Sequence, residues 1–273
     1  MNILVTADGK YLSHLQIMLG SLFFNNPGEN FQIYLIGDET LQEAAKGLAV
    51  YCADHGSELH LLEIRTSVFE HAPVIRYYSQ AMYYRLLAAE LLPETLERVL
   101  YLDPDILVIG KIRPLYEIDF SGELFAAAMH NGLTGISGYV SKLRLPNYET
   151  DQYFNSGVIV MNLPKMRCEV HPDDIFQFVE KYGKTLILPD QDILNGLYGD
   201  RILSFDESIW NYDVRQYEKY RLTSQGEKNM DWVMKNTVIL HFCGKSKPWS
   251  PQYRGRFSAL YKHYSHLIEK NRI

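Results

Sequence analysis

Cysteine is scarce: Cys52, Cys168 and Cys243 are the only three in 273 residues, and none forms a C-x-x-C pair. That argues against a disulfide framework and a cysteine-based zinc site, and it is the usage expected of a reducing cytoplasm. Long apolar runs are also missing. No stretch reaches the ~18 residues of a membrane-spanning helix, and residues 1–9 lack the basic segment of a secretory signal. The chain has neither G-x-G-x-x-G nor G-x-x-x-x-G-K-[ST], so a phosphorylated ligand would have to be held by a metal and cationic side chains. H-E-x-x-H and G-x-S-x-G are absent as well.

What is present is ordinary globular chemistry, with 47% hydrophobic and 22% charged residues. A chain of this size buries a substantial core without staples. The net charge is −6, and no nucleic-acid partner is expected. The charge is uneven, however. From Lys245 onward seven lysines and arginines face Glu269 alone, a local +6 that suits an anionic surface or ligand.

Hydrophobic spacing predicts strands over Asn2–Ala7, Phe31–Ile36, Glu58–Ile64 and Arg98–Leu102. Helical spacing at Leu12, Leu15, Leu19, Leu22 and Phe23 predicts a helix ended by Asn25-Asn26-Pro27-Gly28, and further helices are predicted over Leu41–Ala53 and Ser79–Leu92, the last closed by Pro93. Such alternation gives βαβ units and a mainly parallel sheet flanked by helices, an α/β fold. The second half is less regular. Leu133–Leu145, Ile175–Tyr182, Asp192–Tyr198 and Phe257–Ile268 read as helices, and Gly157–Met161 and Val238–Phe242 as strands. One domain over 1–255 is expected, followed by a basic amphipathic helix over 256–273.

In open α/β sheets ligands gather beyond the carboxyl ends of the strands. Asp8 lies at one such end and Asp103-Pro104-Asp105 at another. Two carboxylates one residue apart can turn toward one divalent ion if the backbone bends between them, and hard ions such as Mg²⁺ and Mn²⁺ suit them. Alone, D-x-D is a weak signal; Asp190-Gln191-Asp192 is a second copy. The late segment His241-Phe242-Cys243-Gly244-Lys245-Ser246-Lys247 adds an imidazole at a strand end, then a glycine and two lysines. An imidazole beside two carboxylates favours Mn²⁺ over Mg²⁺, and Lys247 can approach a phosphate as a point charge.

Taken in order, these residues resemble glycosyltransferase family 8, the group that includes bacterial lipooligosaccharide α-galactosyltransferases and glycogenin. The resemblance runs through Thr6-Ala7-Asp8 with Tyr11, Tyr84-Arg85-Leu86, Leu100 to Asp105, Tyr153-Phe154-Asn155-Ser156-Gly157, Asp190 to Asn195, and His241 to Trp249. It implies a GT-A fold and retaining transfer of galactose or glucose from a UDP-sugar to a glycan or glycolipid acceptor. It also implies that Asp103, Asp105 and His241 hold Mn²⁺ against the diphosphate, with Mg²⁺ as the alternative.

By motif position, Thr6, Ala7, Asp8 and Tyr11 would serve the uridine, and Arg85 the donor sugar. Pro104 falls within the metal motif. Asn155, Ser156, Gly157, Asp190 and Gln191 would line the sugar pocket, and Gly244 and Lys247 would contact the diphosphate. Gln191 is a neutral, weak nucleophile, which favours same-face attack with its carbonyl stabilising the cationic sugar and Asp190 binding sugar hydroxyls. Lys10 stands where relatives often carry Asn. His130 stands where the galactosyltransferases carry an acidic residue, so it is assigned to the acceptor side.

Two other classes fit parts of the chain. A haloacid dehalogenase-like phosphohydrolase would use an aspartate after an apolar strand, although Leu107 and Pro104 depart from that signature. A non-catalytic UDP-sugar-binding module would keep the ligand residues without turnover. For the C-terminal helix, the apolar face of Phe257, Leu260, Tyr261, Tyr264, Leu267 and Ile268 has two readings: packing on the core, or peripheral contact with the inner membrane face, aided by Arg256, Lys262 and Lys270.

Overall fold

The computed structural model describes residues 1–37, 41–63, 81–129 and 152–270. Its centre is a seven-stranded sheet in the order β3-β2-β1-β4-β7-β6-β8. These strands are β1 (Asn2–Thr6), β2 (Gln32–Gly37), β3 (Glu58–Glu63), β4 (Arg98–Leu102), β6 (Phe125–Met129), β7 (Phe154–Asn162) and β8 (Ile202–Phe205). Strands β1 to β4 pair in parallel; β7 is antiparallel to β4 and β6, and β8 is parallel to β6. Only β7 runs against the other six.

The predicted Gly157–Met161 strand is therefore longer than expected and reversed in direction. The Ser79–Leu92 helix appears, within the described residues, as two short helices, Ala81–Leu86 and Ala88–Leu91. Ser79 and the predicted Leu133–Leu145 helix lie outside the described residues.

Strand β4 shows why these runs read as continuously apolar. Val99 and Tyr101 enter one core layer, while Leu100 and Leu102 enter the layer on the other face. A sheet covered on both sides needs apolar residues at every position. The long helix α1 (Leu12–Asn25) lies on the second layer through Leu15, Met18, Leu19 and Leu22. Its predicted stop, Asn25-Asn26, also fastens it. Asn25 donates to the Val108 carbonyl at 3.0 Å and Asn26 accepts from Ile112 N–H at 3.0 Å.

A smaller sheet stands beside the first: β5 (Ile106–Val108), β10 (Ile239–His241) and β9 (Tyr212–Asp213), in that order. Strand β10 is antiparallel to β5 and parallel to β9. Leu107, Tyr212 and Leu240 from this sheet share a third core with Ile17 of α1 and with Phe257, Tyr261, Tyr264 and Ile268. Those last four belong to the C-terminal helix Ser258–Glu269 and its N-cap. Most of its apolar face is thus buried in the protein, while Leu260 and Leu267 are half-buried. Among the described residues no helix is long and apolar enough to cross a membrane.

Candidate functional site

The chain passes from the large sheet to the small one through Asp103-Pro104-Asp105. Asp103 N–H donates to the Gly157 carbonyl of β7 at 2.9 Å, and the Asp105 carbonyl accepts from Phe242 N–H at 3.0 Å. One carboxylate is therefore anchored to each sheet. His241 ends β10 opposite Ile106 of β5, so antiparallel pairing returns it to the start of β5, where Asp105 lies. The result joins residues from the middle and the late part of the chain: one ligand atom each from Asp103, Asp105 and His241 lie within 4.8 Å of one another. His241 Nε2 is 3.7 Å from Asp103 Oδ2 and 3.3 Å from Asp105 Oδ1.

Each of these side chains has its other polar atom engaged. Asp103 Oδ1 accepts from the Tyr101 hydroxyl at 2.6 Å and lies 3.2 Å from Arg85 Nη1. Asp105 Oδ2 pairs with Lys247 Nζ. His241 Nδ1 is 2.8 Å from Asn211 Oδ1. Two carboxylate oxygens and one ring nitrogen remain, turned toward a shared point. This donor set suits a divalent ion of intermediate hardness, so the residues fit the metal that the sequence implies. Gly157 leaves the room: a Cβ there would lie 2.2 Å from His241 Cε1 and 2.7 Å from Asp103 Oδ2.

Burial and charge act against each other here. Burial raises the Asp103 carboxyl, and Asp105 adds to that rise while Arg85 opposes it. Burial would also raise Asp105, but His241 and Lys247 override it and hold that carboxyl below the usual range. Burial disfavours a charged His241, yet Cys243 and Asp105 reverse the effect and raise it well above the ordinary imidazole value. These neighbours thus favour the protonated form of the imidazole.

Arg85, in the last turn of Ala81–Leu86, connects this cluster to a second group. Its Nη1 lies 3.0 Å from Asp190 Oδ2 and donates to the Ser156 carbonyl at 2.9 Å. Its guanidinium lies 4.5 Å from the Tyr101 ring centre. Ser156 Oγ in turn donates to Asp190 Oδ2 at 2.8 Å. Gln191 follows, buried in the first turn of the helix Pro189–Tyr198.

The two D-x-D copies are thereby distinguished. Asp192 faces inward, accepting from the Tyr153 hydroxyl at 2.7 Å and from the backbone of Ile187 and Leu188 at 2.7 and 3.1 Å. It holds a loop and takes no part in the Asp103 cluster.

Strand β1 brings Thr6 to the same region, with its hydroxyl 3.0 Å from the Tyr101 hydroxyl. Half-buried Ala7 follows, then exposed Asp8, whose Oδ1 accepts from Lys10 N–H and Tyr11 N–H at 2.9 and 3.2 Å. Tyr11 sets its edge against Trp249, centroids 5.7 Å apart, and Trp249 stacks on His14 at 3.7 Å. Pro104 is half-buried at the turn. Gly244 is exposed at φ +88°, which favours glycine, and an added Cβ would also meet Arg215 Nη1 at 2.5 Å. His130 lies outside the described residues.

Sequence reasoning placed Tyr101 and Trp249 within the matched segments without giving either a role, and did not single out Asn211 or His14. Tyr101 had a signal, since residues two apart on a strand share a face and Asp103 follows it by two. Asn211 had none.

Comparison with known proteins follows the same outline. Residues 2–252 match the family described as Glycosyl transferase family 8. General stress protein A of Bacillus subtilis is 28% identical, the match covering 100% of this chain and 96% of that one. Lipopolysaccharide 1,2-glucosyltransferase of Escherichia coli K12 is 28% identical over 91% of this chain and 72% of its own. The galactosyltransferase LgtC, solved with donor and acceptor sugar analogs, superposes with a TM-score of 0.79 at 22% identity, covering 97% of this chain and 95% of LgtC. The fold is GT-A, and the chain belongs to glycosyltransferase family 8.

Proposed function

We propose that this family 8 glycosyltransferase is a metal-dependent, retaining enzyme that moves galactose or glucose from a UDP-sugar to a glycan or glycolipid acceptor. The observation that carries this reading is the convergence of Asp103, Asp105 and His241, each with its second polar atom already engaged. These three would hold Mn²⁺, or the harder Mg²⁺ in its place. When bound, the ion supplies Lewis acidity to the diphosphate leaving group.

The remaining roles belong to the chain itself. Asp8 and Tyr11 bind the uridine, with Thr6 and Ala7 forming the approach from β1. Lys247, on the loop opened by Gly244, offsets the negative charge that grows on the leaving phosphate. Ser156 and Gly157, with Asn155 behind them, line the sugar pocket, and Asp190 accepts hydrogen bonds from sugar hydroxyls. Arg85 holds Asp190, Asp103 and the Ser156 carbonyl in register, which fixes the sugar side relative to the diphosphate side. His130 serves the acceptor side.

Retention needs either two inversions or attack from the leaving-group face. Asp190 is tied to Arg85 and Ser156, and Gln191 is neutral, so neither is a strong nucleophile. Same-face attack is therefore favoured. The glycosidic C–O bond of the donor breaks, the acceptor oxygen bonds to the anomeric carbon, and a donor phosphate oxygen takes the acceptor proton. The Gln191 carbonyl stabilises the positive charge that develops on the sugar. Family membership answers the phosphohydrolase alternative. Turnover separates the enzyme from a non-catalytic binding module.

We place the enzyme in the cytoplasm, in line with its three free thiols. A membrane contact would have to use the basic edge of the C-terminal helix, because most of its apolar side is spent on the core.

The test is thermal unfolding with UDP-glucose, UDP-galactose and UDP-N-acetylglucosamine, with and without Mn²⁺, followed by a transfer assay. A ligand that binds the folded state raises Tm by mass action. A UDP-hexose should do so strongly only with Mn²⁺; no stabilisation by any donor and no donor consumption would overturn the reading.

A further inference from the structure

We infer that Asn211 is a positioning residue that determines which ring nitrogen of His241 faces Asp103 and Asp105. It sits between the short helix Glu207–Trp210 and β9, is 3% exposed, and touches His241 on the side away from the carboxylates. Three contacts of 2.8 Å form a chain: Gly157 N–H to Asn155 Oδ1, Asn211 Nδ2 to Asn155 Oδ1, and His241 Nδ1 to Asn211 Oδ1.

The direction of every link follows from the first. A backbone N–H can only donate, so the Asn155 atom that meets Gly157 must be its oxygen. That oxygen can only accept, so the Asn211 atom facing it must be the amide nitrogen. The Asn211 oxygen is then the atom that faces His241, and Nδ1 must carry a proton. A neutral His241 therefore has its lone pair on Nε2, the atom nearest Asp103 Oδ2 and Asp105 Oδ1. The backbone of β7 sets the tautomer of a histidine on β10, three hydrogen bonds away.

Burial makes the arrangement hard to escape. Asn155, Asn211 and His241 are 9%, 3% and 4% exposed, so water offers little compensation for a reversed link. Turning either amide would set donor against donor or acceptor against acceptor. The relay fixes the ring plane, and with it the direction in which Nε2 points, before a ligand arrives. It also gives Asn155 a task on the metal side, since its oxygen is directed to Gly157 and Asn211. What Nε2 is presented to rests on the proposed metal reading; the tautomer does not.

The experiment uses the full chain labelled with ¹⁵N-histidine, with His241 assigned through its backbone. Long-range ¹H–¹⁵N spectra are recorded without metal, above the imidazolium range, and again with Mg²⁺. The expected result is a protonated, pyrrole-type Nδ1 in both conditions. A neutral ring protonated at Nε2 overturns the inference, and this measurement needs no variant to fold.

In parallel, Mn²⁺ alone is titrated calorimetrically into the wild type, Asn211→Leu and Asn211→Asp. Asn211→Leu, which removes the acceptor, should weaken binding about 10–100-fold. Asn211→Asp still accepts from Nδ1 and should fall between the two. Wild-type Mn²⁺ affinity in a folded Asn211→Leu protein would overturn the inference. If the wild type binds no Mn²⁺, the metal reading fails, while the nitrogen shifts still decide the tautomer.

Discussion

Asn195 completes both backbone hydrogen bonds of Phe154: its Nδ2 donates to the carbonyl at 2.8 Å, and its Oδ1 accepts the amide N–H at 2.7 Å. A side chain of the helix Pro189–Tyr198 thereby acts as an extra strand at the start of β7. This places Asp190 and Gln191 beside Asn155-Ser156-Gly157. Asn195→Ala would leave two buried backbone groups unpaired, at about 1–3 kcal/mol each. We expect a loss of stability in urea unfolding and a weaker response to UDP-hexose in the surviving fold.

The two D-x-D copies separate by mutation. Asp103→Asn should reduce transfer by about 10²–10³-fold or more, the scale of losing one preorganised electrostatic partner, and should abolish Mn²⁺-dependent stabilisation by UDP-hexose. Asp192→Asn should leave that Mn²⁺ dependence in place and act instead on the fold, costing about 1–3 kcal/mol in denaturant. Near-wild-type turnover by Asp103→Asn would remove its proposed metal role.

Gly157→Ala tests the space between the strands. A methyl group 2.2 Å from His241 Cε1 must push the imidazole or β7 aside. Overpacking of this kind costs about 1–3 kcal/mol. We expect a folded protein that melts earlier and binds Mn²⁺ poorly. Unchanged Mn²⁺ affinity by calorimetry would mean that the metal lies elsewhere.

Metal affinity should rise with pH. Asp105 is held below the carboxylate range and stays ionised, whereas His241 is raised and keeps its proton to higher pH. A cation must displace that proton, so binding strengthens as pH climbs toward the His241 pKa and levels off above it. Calorimetry in buffers of different ionisation enthalpy should show about one proton released per Mn²⁺ near neutral pH. Affinity independent of pH would contradict the imidazole as ligand.

Two of the three thiols should report their surroundings. Cys168 is exposed and Cys52 is buried, and burial pushes the Cys52 thiol up to about 12. At pH 8 a thiol reagent should label Cys168 quickly and leave Cys52 untouched until the protein unfolds. Because an unfolded thiol ionises near pH ~8.5, Cys52 also makes the fold less stable as pH rises beyond that value. Rapid labelling of native Cys52 would show that helix α2 (Gln42–Asp54) opens readily.

The strands β1 to β4 were legible because each is a short apolar run between clear helices, and β4 matches its predicted Arg98–Leu102 limits. The Asp103-Asp105 pair and His241 were legible because both sit where an apolar strand stops. The small sheet was harder to find. Its β10 falls within the predicted Val238–Phe242 strand, but β5 has three residues and β9 two, too few to establish a period.

Strand β6, Phe-Ala-Ala-Ala-Met, misleads in the opposite way, since alanine is the best helix former. Only pairing with β7 and β8 makes it extended. Asn211 lies beyond any local pattern, because its meaning comes from Asn155 and His241, 56 and 30 residues away.

The packing of Ser258–Glu269 has a practical consequence for anyone trimming the protein. Tyr261 bonds His14 at 3.1 Å, and Tyr264 accepts from Asn25 at 2.8 Å, so the last helix grips both ends of α1. Its rings also underpin Leu240, the neighbour of His241. A version cut after residue 255 would not be a catalytic minimum with a membrane handle removed. It would lack the buttress that joins α1 to the strand carrying the imidazole.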